Sequence, residues 1–409
     1  MAAAAAPVTA RAWKAGVMLG TDDFSRLTEP FRPELLAHCY RMLGSVYDAE
    51  DQVQETLVRA WRSYSDFQGR SSLRTWLYRI ATNACLRAIE NRARRPMPSG
   101  LGAPGDDPDG PLAPVLPEVR WLQPIPDALV LPHPADPATV TVSRESVRLA
   151  LIAALQYLPG RQRAVLILRD VLGWHAAEVA ELLGITPTAV NSLLQRARAR
   201  LQQAAPDTAE VREPAEASER ALLDAYAEAF AGADVGALTK LLRDDAVLEM
   251  PPQPTWFAGR EQVSRFLASR VLVEPGRFAM LPITANGQPA FAAYLRGDDG
   301  VHRAHAIQVL TCDGASITRI ASFNDAGLFP IFALPGTLAA AAGHGSSMTE
   351  VRAVTGRLSG AGLDTPGSEG VKRRFAGFAV GGPRRCVRRR GCGGAGSRAG
   401  CRRAGCRVL

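Results

Sequence analysis

Between Ala176 and Leu194 the chain carries a pattern that admits few folded solutions. Apolar residues stand at Val179, Leu183, Ile185, Val190 and Leu193, with the small Ala180 and with Gly184 among them. Two helices that cross near a right angle need a residue without bulk at the contact, which Ala180 supplies. The turn between them needs a residue that tolerates positive φ, which Gly184 supplies. Thr186 suits the cap of the second helix and Pro187 its first turn. The pattern predicts a helix-turn-helix whose second helix shows Thr188, Asn191, Ser192, Gln195 and Arg196 on its outer side, followed by Arg198 and Arg200. Short polar groups near a helix N-terminus can reach base edges, and arginines can meet phosphates.

Charge elsewhere has to be read by location. The formal net charge is +8, but Val371–Leu409 holds twelve Lys/Arg and no acid, so subtracting it leaves the body at −4. The overall basicity is therefore no argument for DNA binding. Local charge is. Asp22–Glu55 contains eight acids and three arginines, whereas Arg70–Arg95 contains seven arginines and one acid. The first half suits a protein partner with a basic surface and the second a phosphate backbone. Phe67, Trp76 and Tyr78 lie among those arginines, and aromatic rings beside positive charge can hold unstacked bases.

At 409 residues the chain is too long for one ordinary domain. Composition divides it into a leader (1–21), a helical unit (22–95), a Pro-rich extended linker (96–142) and a second helical unit (143–205). An acidic connector leads to a mixed unit (217–335), and a Gly-, Arg- and Cys-rich tail (336–409) follows. The tail reads as a disordered extension. Its four cysteines, Cys386, Cys392, Cys401 and Cys406, lack metal-site spacing, and no metal or cofactor is expected. Cys39, Cys85 and Cys312 read as buried thiols. No run of eighteen apolar residues occurs, and the Ala-rich start is broken by Pro7, Arg11 and Lys14. The expectation is a cytoplasmic protein without a membrane segment.

The runs DAEDQVQETLVRAW (Asp48–Trp61) and FQGRSSLRTWLYRIATNACLRAI (Phe67–Ile89) resemble region 2 of extracytoplasmic-function (ECF) sigma factors. Leu151–Leu201 resembles region 4 of the same family. The resemblance implies a factor that binds core RNA polymerase and directs it to promoter DNA. It implies that Asp48, Asp51, Gln54, Glu55 and Arg59 dock on the β′ clamp helices, and that Leu151–Leu172 meets the β flap. The −10 element would be held by Arg70, Ser71, Arg74, Trp76, Arg79, Asn83 and Arg87. The −35 element would be read by Thr188, Asn191, Ser192, Gln195, Arg196, Arg198 and Arg200. The linker would thread the polymerase between the two units, and the factor would be monomeric off polymerase.

ECF sigma factors usually end near Gln203. Here two helices, around Leu222–Phe230 and Leu238–Leu242, precede strand-like stretches at Arg277–Ala285, Ala290–Arg296, His302–Thr311 and Ile317–Phe323. Helices followed by a curved antiparallel sheet resemble the SnoaL-like branch of the NTF2-like fold. The expected fold class is thus two all-α units, an α+β domain and a basic tail. Asp298, His302, His305 and Asp325 are the acid–base candidates. On an unbroken strand His302 and His305 face opposite sides, so no paired site is legible and no enzymatic activity is expected. Trp256, Phe257, Phe291 and Tyr294 either line an apolar cavity or form plain core. A regulatory role, with an unknown small ligand as one option, is the expectation for this domain. The rivals are a helix-turn-helix regulator with a ligand-sensing domain, which leaves the charge split at 48–95 unexplained, and a SnoaL-like enzyme with a DNA-binding appendage.

Overall fold

The computed structural model describes residues 21–67, 69, 71–90, 93–131, 144–204, 216–314 and 316–338. Leader residues 1–20, linker residues 132–143, connector residues 205–215, Arg70, Arg92 and tail residues 339–409, with their four cysteines, lie outside the described residues.

The N-terminal unit consists of α1 (Thr21–Thr28), α2 (Arg32–Leu43), α3 (Val46–Arg62) and α4 (Leu73–Glu90). Helix α2 ends at Gly44, whose φ of 68° lets the chain reverse. Ser45 then caps α3 by accepting the Asp48 amide at 3.2 Å. Every residue from Leu35 to Leu43 is buried. A helix buried all round is an internal one, and α2 is covered by α3, α4, the second helical unit and the C-terminal domain. Three polar side chains go inside with it. His38 hydrogen-bonds Thr82 Oγ1 at 2.9 Å, and burial lowers its pKa to about 3. Arg41 donates to the Ser146 carbonyl and hydroxyl. Tyr40 donates to the Gln123 carbonyl at 2.7 Å.

Two short helical turns, a 3-10 turn at Pro98–Gly100 and α5 (Asp127–Val130), interrupt the described part of the linker. The second unit follows with α6 (Leu149–Leu155), α7 (Gly160–Leu166, widened into a π turn over Ile167–Val171), α8 (Ala176–Leu183) and α9 (Pro187–Ala204). It packs directly on the first. A Cβ at Gly160 would lie 3.2 Å from Leu86 and 3.4 Å from Ile89, so the glycine lets α7 approach α4 closely. Trp174 meets Tyr78 with ring centroids 5.4 Å apart. Buried Arg163 donates across the interface to the Met42 carbonyl and, within its own unit, to Gln156 and the Leu158 carbonyl. Desolvation lowers both Arg41 and Arg163 to about 10. Carbonyls, a hydroxyl and an amide oxygen hold these cations, although Arg163 Nε is buried without a partner, so separating them from those partners without water would be costly.

The C-terminal domain opens with α10 (Glu216–Ala231) and α11 (Val235–Leu241). Its strands are β1 (Leu242–Met250), β2 (Gln253–Ala258), β3 (Phe278–Ala285), β4 (Gln288–Arg296), β5 (His302–Asp313), β6 (Ser316–Phe323) and β7 (Thr337–Leu338), with α12 (Arg260–Phe266) after β2. The sheet order is β2-β1-β6-β5-β4-β3, with β7 added to the start of β5. β1 runs parallel to β6, and the remaining pairs are antiparallel. The four predicted strands are present. β1 and β2 were not anticipated: β1 follows α11 without a loop and begins with Leu-Arg-Asp-Asp, a polar start that hides the strand.

Both faces of this sheet are covered. Phe291, Ala293, Leu310 and Ile320 face the helices of their own domain, where Tyr226, Phe230 and Phe266 fill the space. Ala292, Tyr294, Ile307, Val309 and Phe323 face the other way and join one core with Tyr40, Leu122, Ile125 and Leu155. Adjacent residues of one strand therefore belong to different cores, because successive side chains alternate.

Candidate nucleic-acid interface

The helix-turn-helix forms as the pattern demands. Gly184 takes φ 65° at the end of α8, and the Ile185 amide returns to the Ala180 carbonyl at 3.0 Å. Thr186 Oγ1 accepts the Ala189 amide at 3.2 Å. Val179, Ala180, Leu182, Val190, Leu194 and Ala197 are buried, while Leu183, Ile185 and Leu193 are only partly so. All seven residues predicted for the −35 element are exposed. Thr188, Asn191, Ser192 and Gln195 fall within about 100° of the α9 circumference, flanked on one side by Arg196 and Arg200. Arg198 lies on the other flank in a bidentate pair with Asp170 at 2.7 and 2.9 Å. Helix α9 contains no acidic residue.

In the first unit the structure separates the predicted −10 residues. Trp76, Arg79, Asn83 and Arg87 share one face of α4 within about 80°, with Arg79 and Arg87 exposed. Trp76 packs at a tilt against Phe67, with ring centroids 4.9 Å apart, and meets Tyr64 edge-on at 6.3 Å, in a cluster that extends through Phe24 to Trp61. It is half-buried and is thus both packed and presented. Arg74 points away from this face. Its guanidinium is paired with Glu34 at 2.7 Å and lies 4.9 Å from the Tyr78 ring centroid. Ser71 precedes the helix, and Ser72 accepts the Thr75 amide at its start.

Helix α3 shows a similar division. Asp51 and Gln54 lie on an exposed stripe with Tyr47, Val58 and Trp61, at successive spacings of four, three, four and three residues. Three of these five are large apolar or aromatic groups that sequence reading missed; the helical repeat of exposed apolar positions was the available signal. Asp48, Glu55 and Arg59 sit to one side. Glu55 pairs with Arg59, and Asp48 pairs with Arg95 at 2.5 Å with both side chains nearly buried. Together with Arg32–Glu50 and Arg74–Glu34, this pair shows that part of the acidic-then-basic split is used inside the unit.

The linker is held along its described length. Gly105 donates to the Trp256 carbonyl, and Trp256 Nε1 donates to Gly102. Further on, Gln123 accepts from Ser45 and Tyr40. The β3–β4 turn, Asn286-Gly287, is the centre of the assembly. Both residues have positive φ, 58° and 66°, as a two-residue hairpin turn requires. Instead of pointing into water, Asn286 is fully buried. Its Oδ1 accepts the Ile125 amide at 3.0 Å, and its Nδ2 donates to Tyr40 Oη and the Val147 carbonyl, both at 2.8 Å. Gly287 donates to Asp127 at 2.7 Å, and a Cβ there would meet the Arg144 carbonyl at 2.7 Å.

Of the acid–base candidates, Asp325 accepts the Gly327 amide and Asp298 is exposed. The β5 register slips, leaving His305 between Ala304 and Ala306 without a partner on β4. The unbroken strand assumed for the two histidines is therefore not found. His302 hydrogen-bonds the Gly276 carbonyl, while His305 faces a cavity that His302 does not line. Phe257, Phe291 and Tyr294 are core, and Trp256 is a linker contact. Cys39, Cys85 and Cys312 are buried and unpaired. Among the described residues no His/Cys/Asp/Glu group is placed to hold a metal, and no helix is long and apolar enough to cross a membrane.

Three family models match: sigma-70 region 2 over residues 27–95, sigma-70 region 4 over 148–201 and a SnoaL-like domain over 223–321. The ECF RNA polymerase sigma factor SigG of Mycobacterium tuberculosis is 50% identical over 318 residues, 77% of this chain and 85% of SigG. The chain belongs to the ECF sigma factors. SigJ of M. tuberculosis is 28% identical over 69% of the chain and 84% of its own length. SigW of Bacillus subtilis is 30% identical over 44% of the chain and 88% of its own length. The crystal structure of M. tuberculosis SigJ shares the fold, with a TM-score of 0.50 at 23% identity over 76% of this chain and 99% of that one. This ECF factor thus joins sigma regions 2 and 4 to a SnoaL-like domain.

Proposed function

We propose that this sigma factor reads the −35 element with the Thr188–Gln195 face of α9, with Arg196 and Arg200 on the phosphates. The Trp76–Arg87 face of α4 holds the −10 strand. The observation that carries the assignment is the pairing of two exposed, arginine-bearing faces, one on each unit: α9 has no acid at all, and the α4 face shows Arg79 and Arg87 with one acid, Glu90, at its C-terminal end. Trp76 adds a ring against which an unstacked base can lie. Arg74 supports α4 from behind and is not a DNA contact. Core polymerase docks on the Tyr47–Trp61 stripe of α3, whose apolar ends (Tyr47 at one, Val58 and Trp61 at the other) and central Asp51 suit a helical partner that carries both apolar and basic groups. Tyr47 donates to the Gly327 carbonyl at 2.6 Å, so the SnoaL-like domain touches one end of that stripe and modulates access to it.

The test is run-off transcription with core polymerase and the full chain. Asp51→Arg and Val58→Asp are expected to abolish polymerase binding, and Arg196→Ala to weaken promoter binding with polymerase binding intact. Full polymerase binding by both α3 variants would refute the docking assignment.

A further inference from the structure

Within the SnoaL-like domain, bounded by the sheet, α10 and the helical turn after α12, lies a cavity of about 140 Å³. That is close to the roughly 150 Å³ of an apolar cavity that takes up benzene, so a single ring or a short aliphatic chain fits it. One part of the wall is apolar, with Phe230, Leu248, Leu267, Phe278 and Ile320. The other carries Arg270, Arg277, His305 and Gln308, and no Asp or Glu lines the cavity. Tyr226 donates to Gln308 Oε1 at 2.9 Å, which leaves the amide NH₂ as the group offered to an occupant. Burial and the neighbouring Arg277 lower the pKa of His305, so its ring is neutral at pH 7 and can donate without adding charge. An apolar pocket rimmed by two cations and neutral donors suits an anion with a hydrophobic body.

Arg270 has a second task. Its Nε donates to the Pro108 carbonyl at 3.3 Å and its Nη2 to the Asp109 carbonyl at 2.9 Å and to Gly110. Arg265 pairs with the Asp109 carboxylate at 2.6 Å beside it. The side chain that walls the cavity therefore also fastens the linker. Carbonyls are neutral acceptors, and a carboxylate offers a guanidinium two charge-assisted hydrogen bonds in their place.

We propose that this cavity binds a small amphipathic carboxylate, and that the acid draws Arg270 away from linker residues 108–110. Occupancy then loosens the linker that runs between regions 2 and 4. The binding step stands on the cavity alone; its consequence for transcription rests on the function proposed above.

Calorimetry on the full chain at pH 7.5 would compare phenylacetate with phenylacetamide, its neutral counterpart. The acid is expected to bind at least about tenfold more tightly, equivalent to about 1.4 kcal/mol. Arg277→Gln should remove that preference and leave amide binding unchanged. Leu248→Phe, which fills the apolar wall, should abolish binding of both, with circular dichroism confirming that each variant is folded. Hydrogen exchange at residues 109–113 should rise with phenylacetate and not with phenylacetamide. Equal affinity for acid and amide, or no binding of the acid at about 10 mM, a concentration that would reveal even millimolar affinity, would overturn the site. Binding with unchanged linker exchange would overturn the coupling. A failure of the unliganded chain to support transcription would count against the sigma assignment and leave the binding result standing.

Discussion

Removing the Asn286 side chain should loosen the whole assembly, because one amide joins the SnoaL-like domain to the linker, α2 and the segment before α6. Asn286→Gly keeps the left-handed backbone accessible while deleting three hydrogen bonds. Tyr40 retains its bond to the Gln123 carbonyl, so the loss falls on the buried Ile125 amide and the Val147 carbonyl. A buried group that loses its partner costs about 1–3 kcal/mol, so the two groups place Asn286→Gly at about 2–6 kcal/mol. Asn286→Ala keeps the Cβ that asparagine already carries at φ 58°, which glycine would relieve, and so should cost about 1 kcal/mol more than the glycine variant. Asn286→Asp keeps the acceptor for Ile125 but turns an oxygen toward the Val147 carbonyl, and should cost at least as much as the glycine variant at neutral pH. Urea unfolding gives the free energies, and hydrogen exchange at the Ile125 amide reports the local bond. If Asn286→Gly lost less than about 1 kcal/mol, the least that even one such group should cost, with Ile125 still protected, Asn286 would not be the keystone of the assembly.

Four further outcomes are expected. Gly287→Ala should undock the hairpin tip, since its Cβ would meet the Arg144 backbone; protease sensitivity of the linker is the measurement. His38 is lowered to about 3 when folded and titrates near 6.5 when unfolded. Its stabilising effect is thus complete above pH 6.5 and is lost as pH falls toward 3. The slope is about 1.4 kcal/mol per pH unit, and urea midpoints for His38→Gln should fall less steeply over that window. A chain ended at Pro206 uncovers Leu122, Ile125 and the neighbouring apolar surface, and should bind hydrophobic dye and aggregate where the full chain does not. Deleting residues 349–409 should leave promoter choice unchanged in run-off assays; a shift in promoter choice would refute a dispensable tail.

Local geometry made the two helical units and the recognition helix legible from residues alone. Ala180, Gly184, Thr186 and Pro187 each answer a requirement of the motif that holds wherever it occurs, so their meaning does not depend on distant parts of the chain. The strands from Arg277 to Phe323 were legible for the same reason. Other features depended on what lies opposite. Arg74 and Arg95 look like phosphate contacts until Glu34 and Asp48 are brought to them from earlier helices. The α3 stripe was half seen, through its charges and not its Tyr47, Val58 and Trp61.

Residue chemistry and spacing determined that this chain holds a helix-turn-helix, an arginine-rich helical unit and a run of β-strands, because helix and strand periods are local properties. The tertiary structure alone decided how they join. An Asn-Gly pair reads as a solvent-exposed hairpin turn, yet Asn286 is buried at the meeting point of four segments. The continuous apolar run Phe291–Leu295 is a sheet covered on both faces, one by its own helices and one by the sigma regions. The described part of the Pro-rich linker forms only short helical turns and no extended strand, because proline denies it ladder hydrogen bonds. It is nevertheless held in place by partners as far along the chain as Arg270 and Asn286, and sequence-distant contacts of that kind arise only when the fold brings them together.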